Sequence, residues 1–137
     1  MTLKKIDIVI LFGCVIFSAF ALKSLFIPGF YTSHDGANQI VRLFYFDQLL
    51  RDGQIPPRWV SDLMHGYGYP LFLFSYQLPW FIAEPLHLLG FSIQDSIKYT
   101  FLIGYVLSSL AMYLFLRSKF SRLASITGTV FYCFAPN

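Results

Sequence analysis

Residues 8–27 read IVILFGCVIFSAFALKSLFI, an apolar run in which Lys23 is the only charged side chain. A bilayer core about 30 Å thick needs about 20 predominantly apolar helical residues per crossing, so this run is long enough to span a membrane. Lys23 lies near the end of the run, where its long stem can carry the ammonium group to the interface. The run therefore predicts a membrane-spanning helix.

Further apolar runs follow at 71–89, 99–116 and 123–137, and the last is shorter than a crossing. The 137 residues are 56% apolar and only 12% charged, whereas soluble domains carry about 25% charged residues. We therefore predict an all-α, polytopic transmembrane fold with three to four spans. Residues 1–137 are expected to form a single membrane domain, the N-terminal portion of a larger protein. The sequence leaves the oligomeric state open.

Charge patterning predicts the partner and the orientation. The basic residues form no stripe of the kind that binds nucleic acid, so we expect a lipid bilayer and no nucleic acid as partner. Lys4 and Lys5 precede the first run, and basic residues tend to stay cytoplasmic, which places the N-terminus inside. Ala19-Phe20-Ala21 resembles a signal-peptide cleavage site. We prefer an uncleaved anchor, because the apolar stretch exceeds the usual hydrophobic region of about 7 to 15 residues.

Residues 117–122 conflict with this orientation, because they carry three basic side chains that would lie outside if every run crossed. Either the tendency fails here or 71–89, which contains two prolines, is re-entrant. We prefer a crossing, since the length fits a span. Glu84 within that run would then need a partner or a water-filled cavity. The alternative is that Glu84 lies near the interface.

The segment 28–70 differs from its surroundings, because it holds four of the seven acidic residues. We predict that it is a long extracytoplasmic first loop that contains an interfacial helix. Residues 38–51 lack glycine and proline and can form this helix, with Asp47 and Arg51 four residues apart on one face. So apolar a helix is expected to lie in the membrane interface or against the spans. Gly53 is expected to end it.

His34 and Asp35 open this loop and are the first candidates for chemistry. A carboxylate at Asp35 could act as a general base on a hydroxyl, or hold a divalent cation that neutralises a phosphate leaving group. Asp35 also suits an N-cap position ahead of the helix that follows, and spacing alone favours this capping role.

A second candidate region combines glycine, aromatic and basic residues. Glycines that alternate with tyrosines allow a ligand to approach the backbone while the rings supply stacking surfaces, as a sugar or lipid phosphate would require. Arg58 could bind phosphate through its planar fork of donors. The alternative is a structured turn with interfacial aromatic side chains. The substrate-binding candidates are Arg58, Trp59, Asp62, Gly66, Tyr67, Gly68 and Tyr69.

Several of these motifs together carry a resemblance to a known family. They are His34-Asp35 and the segments 53–59, 66–70, 72–79 and 131–136. In this order they resemble the N-terminal region of the bacterial membrane proteins labelled 6-pyruvoyl-tetrahydropterin synthase-related. Pro-Pro-Arg-Trp at 56–59 and Gly-Tyr-Gly-Tyr-Pro at 66–70 are the most specific parts. That family in turn resembles the GT-C superfamily of polytopic glycosyltransferases.

The function that the resemblance implies differs from the one that the family label names. Soluble pterin synthases use a histidine-bound zinc, and the three histidines here are too dispersed for that site. Instead, the GT-C resemblance implies that Asp35 is the catalytic or metal-binding carboxylate, with His34 beside it and Mg²⁺ or Mn²⁺ as the cation. The implied reaction transfers a sugar from a polyprenyl-phosphate donor at the outer face of the bacterial inner membrane. We expect residues 1–137 alone to be inactive.

One alternative function comes from a different class. The chain could belong to a non-catalytic integral membrane protein of envelope assembly or lipid binding, because aromatic interface residues suit either account.

Overall fold

The computed structural model describes residues 5–30 and 34–135, and helix accounts for 72% of them with no strand. The prediction of an all-α fold is confirmed. The helices are α1 (Lys5–Ala21), α2 (Gly36–Arg51), α3 (Leu71–Phe74), α4 (Leu78–Leu88), α5 (Ile93–Lys119) and α6 (Arg122–Phe134).

These helices form two compact units. Unit 1 comprises Met1–Pro28 and Phe101–Asn137, and unit 2 comprises Gly29–Thr100. Helix α5 belongs to both, because its first eight residues lie in unit 2 and the remainder in unit 1. Unit 2 therefore coincides closely with the predicted loop and the apolar run that follows it.

In unit 1, α1, α5 and α6 lie side by side with α5 antiparallel to the other two. At one end, Asp7 of α1 contacts Arg117 near the end of α5 and Arg122 at the start of α6. At the other end, the hydroxyl of Tyr105 donates to the backbone carbonyl of Cys133. The order of these contacts along each helix fixes the relative directions.

The carboxylate of Asp7 is the polar centre of unit 1, with only 1% of the residue exposed. It accepts a hydrogen bond from the Tyr113 hydroxyl at 2.9 Å and from the Arg117 Nε at 3.3 Å. Arg122 donates from Nε at 3.1 Å and from Nη2 at 3.4 Å. A buried charge is tolerated only when it is paired and hydrogen-bonded, and this carboxylate is both.

Helix α2 begins two residues before the predicted helix at 38–51 and ends at the same residue, so that prediction is confirmed. Its end is a Schellman motif, in which Gly53 (φ +81°) donates to the Leu50 carbonyl and Gln54 to that of Leu49. The buried face of α2 packs against α4 in unit 2. The core of unit 2 is Leu43, Phe46, Leu49, Val60, Phe72, Trp80, Ala83 and Ile97.

Residues 71–89 do not form the single helix that a crossing requires. They divide into α3, of four residues, and α4, of eleven, and α4 is only about 16 Å long at 1.5 Å per residue. The side-chain amide of Gln77 donates to the carbonyl of Phe72 at 2.7 Å and to that of Pro57 at 3.2 Å. Gln77 therefore satisfies a carbonyl of α3 beside the break and also ties the break to the earlier segment that contains Pro57.

One described helix, α5, is long and apolar enough to cross a bilayer. It extends beyond the predicted run at 99–116 in both directions. The run at 8–27 forms the α-helix Lys5–Ala21, and a 3₁₀ turn at Lys23–Phe26 follows it. The run at 123–137 contains α6, whose thirteen residues are fewer than a crossing needs.

Candidate functional site

The candidate carboxylate Asp35 is at the N-cap position of α2, and 61% of its side chain is exposed. Its backbone carbonyl accepts the N–H of Gln39 at 3.1 Å, as a cap residue's does. However, its carboxylate accepts no bond from a helix N–H. It accepts one instead from the side-chain amide of Asn38 at 3.1 Å. The side chain therefore does not perform the capping role that spacing alone favoured.

His34 is adjacent, with its side chain fully exposed and Nδ1 3.5 Å from the Asp35 Oδ1. This distance suits a weak ion pair when the imidazole is protonated. The Asp35 Oδ2 makes no hydrogen bond within the described residues. One carboxylate oxygen, with an imidazole beside it, therefore faces solvent at the beginning of α2.

The second candidate region forms one ordered hairpin. Gln54 connects its first half, because its Oε1 accepts the backbone N–H of Arg58 at 2.6 Å and of Trp59 at 2.8 Å. The chain returns through an antiparallel bridge, in which Val60 and Tyr69 exchange N–H···O bonds of 2.9 and 2.8 Å. The two motifs that the sequence singled out are therefore paired in space.

Beside the Val60–Tyr69 bridge of this hairpin, Gly68 and the Trp59 indole are in close contact. A Cβ built on Gly68 would lie 2.5 Å from the indole Nε1, and the φ of Gly68 is +81°. Only glycine fits this position, for both reasons. The alternation of glycine and tyrosine thus has a local cause, namely a tight turn with an aromatic ring over its backbone.

The hairpin presents its polar and aromatic groups to the outside. Tyr67 is 87% exposed and Trp59 is 48% exposed. The side chain of Arg58 is exposed as well, and its carbonyl accepts the N–H of Phe72. Asp62 is exposed and accepts the Ser61 hydroxyl at 3.0 Å. An aromatic surface with one guanidinium beside it can bind a phosphorylated or sugar-bearing ligand.

The structure pairs the members of the hairpin with each other but not with the start of α2. Within the described ranges, no hydrogen bond or ion pair joins His34 or Asp35 to any residue of 53–70. The candidate site therefore consists of two exposed groups on unit 2, the carboxylate of Asp35 and the hairpin.

Two neighbouring carboxyl groups lie between α2 and α4. Asp47, which is half-buried, accepts from Arg51 at 2.7 Å, as predicted, and its carboxyl neighbours that of the buried Glu84. Glu84 is 4% exposed, and no N–H or O–H of the described residues reaches its Oε2. Whether Glu84 lies within a membrane span or near the interface stays a prediction; in the described structure its carboxyl is buried beside Asp47.

The pKa of Glu84 is raised from 4.5 to about 7, chiefly by burial and in addition by the neighbouring Asp47, while His87 and Arg51 oppose the shift. Two carboxyl groups that share a site retain one proton between them, because both cannot ionise at low cost. The sequence pointed to each residue separately. No local signal indicated the pair, because the two residues are 37 positions apart.

Few side chains of the described residues are placed to coordinate a cation. No group of three or more His, Cys, Asp or Glu side chains in the described part of the chain could hold a metal ion. Asp35 offers one exposed carboxylate, and Mg²⁺ is commonly held by one or two carboxylates together with substrate phosphates. A cation would therefore fit at Asp35 only with the ligand's phosphates completing its coordination.

Comparison with known proteins found no relative of this chain: no protein-family model matches it, and no curated protein or solved structure matches it either.

Proposed function

We propose that this chain is the N-terminal portion of a GT-C-like membrane glycosyltransferase, which transfers a sugar from a polyprenyl-phosphate donor at the extracytoplasmic face. The observation that carries the proposal is the carboxylate of Asp35, which is exposed, adjacent to His34 and not occupied as a helix cap. Because this carboxylate makes no hydrogen bond to a backbone N–H of the helix, it can accept a proton from the hydroxyl group of the acceptor substrate.

The ends of the helices in unit 1 support a multi-pass topology in the inner membrane. The start of α1, the end of α5 and the start of α6 lie together and carry Lys5, Arg117, Lys119 and Arg122. By the positive-inside tendency this end is cytoplasmic. The segment between α1 and α5 would then lie on the extracytoplasmic side. In this proposal 71–89 does not cross, and the basic link at 117–122 lies on the cytoplasmic side, as the tendency predicts.

The hairpin supplies the donor-binding part of the proposal. Arg58 would bind the donor phosphate through its guanidinium, and Trp59 and Tyr67 would stack on sugar or prenyl groups. Asp35 would act as the base or, together with the donor phosphates, hold Mg²⁺ or Mn²⁺. Such a cation would neutralise the charge that develops on the leaving phosphate.

Asp35→Asn in the full-length protein tests the catalytic assignment. Membranes that contain the variant should lose transfer from a lipid-linked sugar by about 100-fold or more, the usual contribution of a general base. Folding should be unchanged, because Asn fits an N-cap position nearly as well as Asp. Asp52→Asn, at the other end of α2, is the matched control and should retain activity. Unchanged turnover in Asp35→Asn would remove this residue from the mechanism.

Single-cysteine labelling tests the topology. In a background without the native cysteines, Asp52→Cys and Leu89→Cys should both react with a membrane-impermeant maleimide from the outside, and Lys119→Cys only after permeabilisation. Labelling of Leu89→Cys from the inside would mean that 71–89 crosses. Labelling of Asp52→Cys from the inside would place the candidate site on the wrong face for a polyprenyl donor.

The exposed rings of the hairpin favour a second candidate, a non-catalytic envelope or lipid-binding protein in which Tyr67 and Trp59 sit in the membrane interface. Under this alternative, Tyr67→Ala should weaken membrane or partner attachment, while Asp35→Asn should have no effect on any phenotype of the full-length protein.

A further inference from the structure

Unit 1 contains a cavity of about 280 Å³ between its three helices. One face of α1 lines it with Ile10, Gly13, Cys14 and Phe17, which are spaced by three and four residues. Ser109 of α5 and four residues of α6 complete the wall. All three helices of this unit therefore contribute to the wall of this cavity, which is partly open to the surface.

The wall presents hydrocarbon despite its two hydroxyl groups. The Oγ of Ser109 donates to the carbonyl of Val106 at 2.9 Å and is hydrogen-bonded to Ser18. The Oγ1 of Thr129 donates to the carbonyl of Ser125 at 2.8 Å. With these groups satisfied by the helices, a water inside would lack the two to four polar partners that it needs. An apolar cavity of about 150 Å³ already binds a benzene-sized molecule, so this one accommodates a longer hydrocarbon.

The cavity begins within about one helical turn of a cationic group. Ile10 follows Asp7 by three residues on α1, and Ile126 follows Arg122 by four on α6, a rise of roughly 5 Å. At this end two guanidinium groups face one carboxylate, which leaves a net positive charge. The Nη2 of Arg117 and the Nη1 of Arg122 make no hydrogen bond within the described residues, and both side chains are partly exposed.

We propose that unit 1 binds one anionic phospholipid, with an acyl chain in this cavity and the phosphate on the remaining donors of Arg117 and Arg122. The apolar wall selects the chain, and the excess positive charge one turn away selects an anionic headgroup over a zwitterionic one. This site is distinct from the groups on unit 2, and it does not depend on the proposed transferase activity.

Cavity filling tests the acyl-chain part. The Cβ position of Gly13 has no atom within 4 Å, so a larger side chain enters the cavity without displacing a neighbour. In the purified full-length protein, Gly13→Leu should weaken binding of phosphatidylglycerol at least 10-fold, and Gly13→Ala less. Gly104→Leu is the matched control, because its Cβ also meets open space but lies outside the cavity. It should bind as the unsubstituted protein does.

Charge substitution tests the headgroup part. Arg122→Gln should reduce phosphatidylglycerol binding to the level of phosphatidylcholine, and Arg122→Lys should keep part of the preference. Far-UV circular dichroism establishes that each variant is folded. Equal binding of both lipids to the unsubstituted protein, or undiminished binding in Gly13→Leu, would overturn the proposal. Displacement of the lipid by millimolar inorganic phosphate would also overturn it, since the site would then bind anions without a chain.

Discussion

Replacement of Glu84 by glutamine should abolish a pH dependence of stability that the two neighbouring carboxyl groups create. The pKa of Glu84 is 4.5 in a solvated chain and about 7 in the fold. Between these values the native state binds more protons than the unfolded state, so the free energy of unfolding falls as the pH rises. The stabilisation is complete below pH 4.5 and is lost as the pH passes through about 7.

The size of the effect follows from the shift. About 2.5 pKa units at about 1.36 kcal/mol each correspond to a loss of about 3 kcal/mol at alkaline pH. The amide of Glu84→Gln cannot ionise and can donate to Asp47, so its stability should be flat between pH 5 and 8. At pH 8 the variant should be the more stable protein, by up to about 3 kcal/mol.

Thermal unfolding in a neutral detergent, followed by the fluorescence of the buried Trp80, measures this at pH 5, 6, 7 and 8. The exposed Asp62 supplies the matched control, because Asp62→Asn should keep the slope of the unsubstituted protein. A Glu84→Gln protein that keeps this slope, or an unsubstituted protein whose stability rises from pH 5 to 8, would refute the account of the shared proton.

Two further substitutions probe single contacts. Gly68→Ala and Gly53→Ala each place a side chain at φ +81°, which costs about 1–2 kcal/mol. Only Gly68→Ala also displaces the Trp59 indole, so it should lower Tm further and shift the tryptophan emission to the red; equal effects of the two would argue against that contact. Tyr113→Phe removes a hydrogen bond to the buried carboxylate of α1 and should cost about 1.5–3 kcal/mol. Tyr132→Phe, at an exposed position, should cost close to nothing, and a Tyr113→Phe protein with an unchanged Tm would contradict the assigned bond.

The sequence predicted those structural features that depend on residues close together in the chain. The helical segment without glycine or proline at 38–51, its end at Gly53 and the ion pair of Asp47 with Arg51 all involve residues within a few positions of each other. The sequence also showed that glycine and aromatic residues alternate in the segment that forms the hairpin. That Gln54 holds the hairpin together was not, because a glutamine carries no local structural preference of this kind.

Specific side-chain hydrogen bonds account for the errors. Length and hydropathy made 71–89 a plausible span, although it contains two prolines. In the structure Pro79 lies in the first turn of α4, where its missing N–H costs nothing, and Gln77 bonds to carbonyls before the break. Asp35 fits the position of a cap, yet Asn38 holds its carboxylate elsewhere. Neither outcome follows from residue type and spacing.

The carboxylate of Asp7 has partners 106, 110 and 115 residues further along the chain. At a synthesis rate of about 5 to 20 residues per second, Asp7 leaves the ribosome several seconds before the first of them exists. During that interval none of these three hydrogen bonds can form. The contacts that join α1 to α5 and α6 through Asp7 are therefore made only late in translation, after the last two helices have been synthesised.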